Sequence, residues 1–350
     1  MTDLSQNMDI LKQLNRLLIC RTDSIGDVIL TLPLCGLIKS INPQIEIYFL
    51  GKQYTRAVVE ACKSVDEFID VDELFQKSAA QQLETVKQLK LDAVIHVFPR
   101  KRIAKLMYQS GVPFRVGVSG RMYNLLYCNK IVRMSRKRSE KHEAILNLDL
   151  LRGLGYQHQV ENSQVPAYYR LEPQEELPER LKSLLSSNKF NLILHPKSKG
   201  SAREWGLENF GKLIALLPSD EFQIIITGTK AEAELMSDWL SGLPAHIING
   251  CGSMNLKQFI SFIATADGLI AASTGPLHIA AALGKVALGI YPPIKPMHPG
   301  RWAPLGKNAG YLVLEKSCSD CRKTQNCRCM AEIKPAAVYQ KLKTIKDAVN

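Results

Sequence analysis

Short, uninterrupted apolar runs alternate along the chain with stretches in which apolar residues recur at helical spacing. The first run, at 17–20, leads into the polar segment 21–27, and apolar residues then follow at positions 28, 32, 35 and 38. An uninterrupted run is typical of a strand buried on both faces, and the later spacing is that of a helix packed on a sheet. Strands at 45–50 and 91–98, with a helix at 79–89, continue the alternation. The pattern predicts β-α-β units and a parallel sheet.

A second alternation begins after the proline-containing segment 161–178, which has little periodicity and is interpreted as a linker. Strands are predicted at 190–195, 222–227, 268–272 and 286–290, and helices at 207–217, 231–240, 256–266 and 276–283. The sequence therefore predicts an α/β protein with two Rossmann-like, doubly wound domains facing a central cleft. We assign residues 1–168 to the first domain and 169–334 to the second, with a terminal helix at 335–350 packing back on the first domain.

Composition agrees with this organisation. A chain of 350 residues that is 46% hydrophobic can form two domains, each with its own core. The polar segment 1–16 lacks the basic and apolar blocks of a secretion signal, and polar residues interrupt the most apolar stretch, 268–291. We predict a cytoplasmic protein without a transmembrane helix.

The net charge of +12 is concentrated in one segment. Between residues 100 and 142 the chain carries twelve Lys or Arg residues and a single acid, Glu140. Such a surface attracts phosphates on nucleic acid, on lipid headgroups or on a phosphorylated substrate. A solvated basic face without a specific ligand is the alternative.

The loop after the first strand carries the first candidate for catalysis. It lies at the carboxyl edge of the predicted sheet, where open α/β sheets bind ligands. Gly26 lets a substrate approach the backbone closely, and the neighbouring carboxylate of Asp27 is our candidate catalytic base. In the alternative interpretation, Asp23 or Ser24 caps the helix and Asp27 complements the helix dipole.

Two loops of the second domain have the composition of anion sites. The loop after 190–195 combines small residues, hydroxyls and cations, so Ser198, Lys199 and Arg203 are candidates for binding phosphate. The chain has neither a Walker loop nor a G-x-G-x-x-G fingerprint. The second loop, 273–278, enters a helix with proline in its first turn, which offers free N–H groups to an anion. For His278, packing between helix and sheet is the alternative role.

Four of the nine cysteines lie close together near the carboxyl end: Cys318, Cys321, Cys327 and Cys329. Four neighbouring thiols could bind a structural zinc, although a Cys-x-Cys half differs from the usual pair of Cys-x-x-Cys knuckles. Free or disulfide-capable thiols are the alternative, and our principal prediction is that no metal is bound.

Three motifs together carry a resemblance to a known family. They are Arg-Thr-Asp-Ser-Ile-Gly-Asp-Val at 21–28, Lys-Gly-Ser-Ala-Arg-Glu-Trp at 199–205, and Ser-Thr-Gly-Pro-Leu-His-Ile-Ala-Ala-Ala-Leu-Gly at 273–284. In order and spacing they resemble the lipopolysaccharide heptosyltransferases, glycosyltransferase family 9. The resemblance implies a GT-B fold and an inverting transfer of heptose from ADP-heptose to the inner core of lipopolysaccharide, without metal or other cofactor.

The resemblance also implies roles for individual residues. Asp27 matches the general base, and Arg203 lies where the family places a cation on the donor phosphates. With the loop residues considered above, the predicted donor-binding residues are Ser198, Lys199, Arg203, Ser273, Thr274, Gly275, Pro276, Leu277 and His278. An inverting displacement needs a base on the acceptor and charge stabilisation on the leaving diphosphate, from opposite sides of the sugar.

The basic segment then becomes a surface for phosphorylated lipid A and the Kdo carboxylates. The predicted acceptor-binding residues are Ser24, Gly26, Arg100, Arg102 and Arg121. The same surface predicts peripheral attachment to the cytoplasmic face of the inner membrane through its anionic lipids.

One departure from the family leaves the donor open. Several heptosyltransferases carry Asp where this chain has Ser273, and a hydroxyl offers a sugar different hydrogen bonds from those of a carboxylate. A related transferase with another nucleotide sugar or glycan acceptor is therefore an alternative. A non-catalytic module that binds anions or nucleic acid is a second one, but the basic segment lacks a helix-turn-helix or RNA-recognition signature, so we expect no nucleic acid.

Overall fold

A computed structural model describes residues 10–137, 139–295, 297–315 and 328–349. The chain divides into two compact units, Met1–Leu171 and Glu172–Asn350. The division falls three residues after the boundary predicted from the sequence.

The first unit is built on a six-stranded sheet in the order β3-β2-β1-β4-β5-β6, in which every strand pairs parallel to its neighbours. Its strands are β1 Arg16–Cys20, β2 Glu46–Gly51, β3 Glu67–Asp70, β4 Ala93–His96, β5 Phe114–Val118 and β6 Lys130–Val132. Its α-helices are α1 Ile25–Ile29, α2 Leu32–Ile41, α3 Arg56–Glu60, α4 Val71–Gln76, α5 Ala79–Gln88, α6 Lys101–Gln109, α7 Met122–Tyr127 and α8 Glu143–Leu148. Short 3-10 helices cover Gln53–Thr55, Asp149–Leu154 and Asn162–Tyr168.

The strand order of this sheet reverses between β1 and β4. These strands are hydrogen-bonded neighbours, with Cys20 beside His96 at their carboxyl ends. The chain leaves them toward opposite sides of the sheet, which opens a crevice of the kind that binds ligands in doubly wound folds. The loop 21–24 leaves β1 at this point, so the fold places the predicted catalytic loop where a ligand can reach it.

The second unit repeats the plan, with a parallel sheet in the order β12-β11-β10-β7-β8-β9. Its strands are β7 Phe190–His195, β8 Phe222–Ile226, β9 Ile248–Asn249, β10 Gly268–Ala272, β11 Val286–Tyr291 and β12 Ala309–Val313. Its α-helices are α9 Glu179–Lys182, α10 Leu207–Ile214, α11 Lys230–Leu235, α12 Ser237–Ser241, α13 Leu256–Thr265, α14 Gly275–Ala282, α15 Pro299–Trp302, α16 Arg328–Ala331 and α17 Pro335–Asp347. Here the order reverses between β7 and β10, and the two predicted anion loops follow these two strands.

The terminal helix α17 packs on the second unit rather than on the first domain, where the sequence analysis places it. Val338 and Leu342 are fully buried in the core of the second unit. The Ile345 side chain packs against the same core. The apolar stripe of α17 thus covers the sheet of its own unit, and burying that stripe is what holds the helix there.

The structure confirms an α/β protein with two Rossmann-like, parallel-sheet units. It also refines two predicted helices: α1 ends at Ile29 and α2 begins at Leu32 with Pro33 in its first turn, and Met236 separates α11 from α12. In the described ranges, no helix has the length and apolar character needed to cross a membrane.

Candidate active site

Asp27 lies in the first turn of α1, which follows β1 through the loop 21–24, and its side chain is 19% exposed. Its carboxylate accepts hydrogen bonds from the guanidinium of Arg21 and from the hydroxyl of Ser24. Ser24 occupies the N-cap position of α1, but its side chain makes no capping bond. The hydroxyl therefore orients a carboxylate rather than the helix terminus. This arrangement argues against the capping interpretation of the loop.

Arg21 is the centre of this cluster and is only 3% exposed. Besides Asp27, its guanidinium donates to Asp23 Oδ1 at 2.6 Å and to Glu143 Oε1 at 3.2 Å. Burial alone would lower the pKa of Arg21, but the charges of these three carboxylates outweigh burial and raise the pKa above its ordinary value. Arg21 is thus a permanent cation that holds Asp27 in place.

Glu143 links Arg21 to a second arginine. It begins α8, is 1% exposed, and its Oε1 also accepts from Arg136. Arg136 further donates to Val97 O and Asn147 Oδ1, both at 3.0 Å. Two guanidiniums therefore share one buried carboxylate beneath the candidate base. Sequence reasoning missed Arg21 and Glu143 as site residues, because 122 positions separate them in the chain.

Asp23 is the third carboxylate paired with Arg21. Burial raises the pKa of Asp23 to about 6, against the opposing effect of Arg21. The Tyr54 hydroxyl donates to the Asp23 carbonyl at 2.5 Å and helps to fix the loop. The loop is thus held by a buried cation on one side and by a phenol on the other.

The three predicted acceptor arginines are all exposed. The guanidinium carbon of Arg100 lies 4.4 Å from the ring centroid of Phe98, and that of Arg21 lies 5.8 Å from the same ring. Arg102 stacks over Phe75 at 3.9 Å and donates to its carbonyl. Arg100 is therefore connected to the Asp27 cluster through Phe98, whereas Arg102 is engaged with Phe75.

The loop after β7 is tied together by Glu204. Glu204 Oε1 accepts from the Ser198 amide and hydroxyl, both at 3.1 Å, and Glu204 Oε2 accepts from Lys197 Nζ at 2.6 Å. Lys199 is exposed and lies in the left-handed region with φ 48°, an uncommon backbone for a residue other than glycine. Arg203 is half-buried in the same loop. The loop is thus preformed, with the Lys199 side chain accessible to an anion.

The loop after β10 holds a buried hydroxyl. Thr274 is 5% exposed and precedes α14, and its Oγ1 has no hydrogen-bond partner within the part of the chain that is described. Gly275 and Pro276 form the first turn of α14, and Leu277 and His278 are buried behind them. Because a buried hydroxyl without a partner is costly, Thr274 is suited to hydrogen-bond a ligand at this helix start.

Ser273 faces inward at the same loop. Its side chain hydrogen-bonds the phenol of Tyr291, whose hydroxyl also donates to Trp302 O at 2.5 Å. Burial, opposed by the bond from Ser273, raises the pKa of the Tyr291 phenol. The position where several heptosyltransferases carry Asp is therefore occupied here by a hydroxyl bound to a buried tyrosine.

His195 and Glu232 add polar groups at the edge that carries both loops. His195 ends β7 and its Nδ1 lies 3.0 Å from Thr227 Oγ1. Burial lowers the pKa of His195 to about 4, opposed by the charges of Glu232 and Glu204. Glu232 accepts from Thr229 in a capping box at the start of α11. The Thr-Lys-Ala-Glu pattern at 229–232 was the sequence signal for Glu232, but a capping box of this kind is common at helix starts.

The predicted cysteine cluster lies mostly outside the described residues. Cys318, Cys321 and Cys327 fall in 316–327, and Cys329 is buried in the second core. Elsewhere, in the ranges that the structure covers, no three His, Cys, Asp or Glu side chains are grouped so that they could hold a metal ion.

Comparisons with known proteins agree with the resemblance. Residues 80–330 match the family described as glycosyltransferase family 9 (heptosyltransferase). A Haemophilus influenzae protein, whose description as a glycosyltransferase is provisional, is 28% identical over 302 residues, which span 83% of this chain and 86% of its own.

Two solved structures extend the likeness over both units. Escherichia coli ADP-heptose lps heptosyltransferase II superposes with a TM-score of 0.73 at 19% identity, covering 96% of this chain and 99% of its own. Escherichia coli heptosyltransferase WaaC, solved with ADP-2-deoxy-2-fluoro heptose, gives a TM-score of 0.66 at 19% identity, covering 94% and 99%. These likenesses show the fold, which is that of the GT-B heptosyltransferases.

Proposed function

The chain belongs to glycosyltransferase family 9, and from that membership we propose that it transfers heptose from ADP-heptose to the inner core of lipopolysaccharide, with inversion at the anomeric carbon. Two structural relatives are named for ADP-heptose or carry an ADP-heptose analogue, which supports the donor. The proposal includes metal-independent chemistry, which rests on the family resemblance and is testable with a chelator.

The observation that carries this proposal is the Asp27 carboxylate at the crevice between β1 and β4. A general base must be ionised, accessible and fixed in direction to take the proton from an acceptor hydroxyl. Arg21 and Ser24 fix the carboxylate through one oxygen each, and the side chain remains 19% exposed. We assign the acceptor proton to Asp27, and the acceptor oxygen then forms the new bond to the anomeric carbon.

The second unit supplies the donor-binding groups in this proposal. As the anomeric bond breaks, negative charge develops on the leaving diphosphate, and Lys199 and Arg203 are the cations assigned to it. The N–H groups at the start of α14 and the hydroxyl of Thr274 are assigned to the nucleotide sugar.

Acceptor binding is assigned to the exposed arginines of the first unit. Arg100 and Arg121 suit the phosphates and carboxylates of a lipid A and Kdo core, because a guanidinium can pair with either group in two parallel hydrogen bonds. We propose that the protein works in the cytoplasm at the inner face of the inner membrane, attached peripherally through anionic lipids.

The test is donor turnover followed by mass spectrometry. Purified protein is given a Kdo-lipid A or heptosyl-core acceptor with ADP-heptose, or with UDP-, GDP- or dTDP-sugars, in the presence and absence of EDTA. Product from ADP-heptose alone, unaffected by EDTA, is expected. Asp27→Asn should lower kcat by about 10²- to 10⁴-fold, the usual contribution of a general base. Asp72→Asn is the matched control, because Asp72 is also a first-turn acid of the first unit but is exposed on α4.

Each other outcome moves the assignment in a defined way. Product from a different nucleotide sugar would support a glycosyltransferase with a donor other than ADP-heptose. Ser273 would then be the first residue to examine, because its hydroxyl is bound to Tyr291 where relatives carry a carboxylate. Equal activity of the two Asp→Asn variants would remove Asp27 as the base. No product from any donor would contradict the proposed reaction.

A further inference from the structure

Helix α7 carries large apolar side chains on its outer face. Met122, Leu125 and Leu126 are 86%, 62% and 70% exposed. They lie at positions i, i+3 and i+4 of one helix and therefore share one face. Folding buries little of this apolar area, so the chain gains almost nothing from it in the described structure. Contiguous exposed apolar side chains of this kind mark a surface for another partner.

The orientation of α7 is fixed by polar contacts on its inner face. Asn124 is fully buried and its Nδ2 donates to Val118 O at 2.9 Å, at the end of β5. At the other end, the Tyr127 carbonyl accepts from Arg115 Nε at 2.8 Å. The usual arrangement of a surface helix, apolar inside and polar outside, is thus reversed here. These hydrogen bonds keep Leu125 and Leu126 on the exposed face of α7.

Exposed basic residues lie next to α7 in the chain and on the helix that packs against it. Arg121 precedes α7 and is exposed, and Lys101 and Lys105 are exposed on α6, which packs against α7. The Tyr108 ring of α6 lies 5.8 Å from the Tyr127 ring of α7, and Tyr108 is itself half-exposed. An apolar face with a basic rim complements an anionic bilayer, and the like charges disfavour a second copy of this chain.

The same helix is continuous with the candidate site of the first unit. Burial raises the pKa of Tyr123 on α7, and the charges of Arg121 and Arg100 oppose that rise. Arg100 in turn shares the Phe98 ring with Arg21, which holds Asp27. A surface element and the candidate base are therefore connected through a few side chains.

We propose that α7 inserts its apolar face into an anionic membrane leaflet and thereby holds the first unit over a lipid-anchored acceptor. The inserted side chains are Met122, Leu125 and Leu126, and the basic residues around them remain at the headgroups. The inference deepens the proposed membrane contact and rests on the proposed function for the claim that the acceptor lies in the same leaflet. Binding of α7 to lipid does not depend on the transferred sugar.

Vesicle flotation tests the insertion. The full-length protein is mixed with phosphatidylglycerol–phosphatidylcholine vesicles or with phosphatidylcholine alone, at low and high salt. The variant Leu125→Ser/Leu126→Ser is expected to bind the anionic vesicles at least about tenfold more weakly than the wild type, because two apolar side chains no longer enter the leaflet. Leu235→Ser, a 74% exposed leucine on α11 of the second unit, should bind like the wild type.

A second measurement covers the case in which the double variant folds poorly. Met122→Trp places an indole at the most exposed position of α7. Its fluorescence should shift to the blue on anionic vesicles and be quenched by brominated lipids beyond the wild-type background. Absence of both changes would overturn the insertion. Binding of the double variant to anionic vesicles as tightly as the wild type would also overturn it. A third contrary result would be self-association of the wild type in sedimentation that the double variant does not show.

An activity assay separates this inference from the proposed function. With an acceptor whose acyl chains have been removed, the double variant should keep the wild-type turnover, since α7 then has no leaflet to engage. If the wild type transfers no sugar but inserts α7, the proposed reaction fails and the insertion stands. If transfer occurs and α7 does not insert, only the inference falls.

Discussion

Replacing Glu143 by Gln should disturb the position of the candidate base Asp27 through Arg21. Glu143 is the buried carboxylate between Arg21 and Arg136, and Arg21 holds Asp27. Glutamine keeps the size of the side chain but removes its charge, and its amide NH2 cannot accept a bond from a guanidinium. Arg21 and Arg136 would then share no carboxylate.

The expected cost follows from the burial of the pair. Arg21 and Glu143 are 3% and 1% exposed, and removing one partner of such a pair costs about 3–5 kcal/mol. For a unit of this size, 1 kcal/mol shifts Tm by about 2–4 °C, so we expect a loss on the order of 10 °C. Arg136→Met added to Glu143→Gln removes a guanidinium that has lost this carboxylate, so the double variant should be more stable than the sum of single losses by about 1–3 kcal/mol.

Thermal unfolding and steady-state kinetics together check this reasoning. Glu46→Gln is the matched control, because its ion pair with Arg16 is exposed, at 48% and 34%, and such pairs contribute at most about 1 kcal/mol. If Arg21 positions Asp27, Glu143→Gln should lower kcat about ten- to a hundredfold and leave KM for the donor unchanged. A Tm shift no larger than that of the control would refute the buried-pair argument, and an unchanged kcat would refute the positioning role.

Two further changes probe the first unit. Gly36→Ala should lower the free energy of unfolding in urea by about 3 kcal/mol or more, because a Cβ on Gly36 would lie 1.9 Å from the carbonyl oxygen of Tyr168. Gly120→Ala is the control and should be near neutral, since no atom lies within 4 Å of its added Cβ. Equal effects of the two changes would contradict the close packing at Gly36. Burial lowers the pKa of His96 from 6.5 to about 4, so the unfolded chain binds the proton first and stability should fall as pH drops from about 6.5 to 4. His96→Leu should reduce this dependence of stability on pH, whereas His246→Leu, at an exposed histidine, should leave it unchanged. If the urea midpoint changed with pH in the same way in both variants, the role of His96 would be contradicted.

The strands that form the two crevices could be predicted because burial leaves a direct trace in sequence. The described residues of β1 after Arg16 are at most 1% exposed, and an uninterrupted apolar run is the pattern for such a strand. Asp27 could be found because the loop and the helix start that carry it come directly after that run. The short strands β5 and β6 escaped prediction, since Arg115 and Gly117 interrupt one and the other has three residues. Their alternation is too brief to separate from a loop.

The partners of Asp27 could not be predicted, because contacts between distant segments leave no local pattern. Arg21 was visible in the motif, but nothing near it in the chain indicates that Glu143 closes the cluster. The sequence also did not indicate which unit α17 packs against. Its apolar stripe predicts a helix with one buried face, and Val338 and Leu342 carry that face, but spacing does not say which sheet receives it.

The structure also changes what the basic segment can do. Sequence charge alone suggested one continuous anion-binding surface, but Arg136 is used on Glu143 and Arg115 on backbone carbonyls. Arg136 is thus paired with a carboxylate, and donors of the Arg115 guanidinium are occupied by carbonyls, so both are less able to bind lipid phosphates. Exposed cations alone bind a bilayer weakly, because salt screens them within about 10 Å. Stable attachment therefore takes an apolar contribution in addition to the charge. In the first unit, the exposed face of α7 can supply the apolar contribution, and the neighbouring exposed Arg121 can supply the charge.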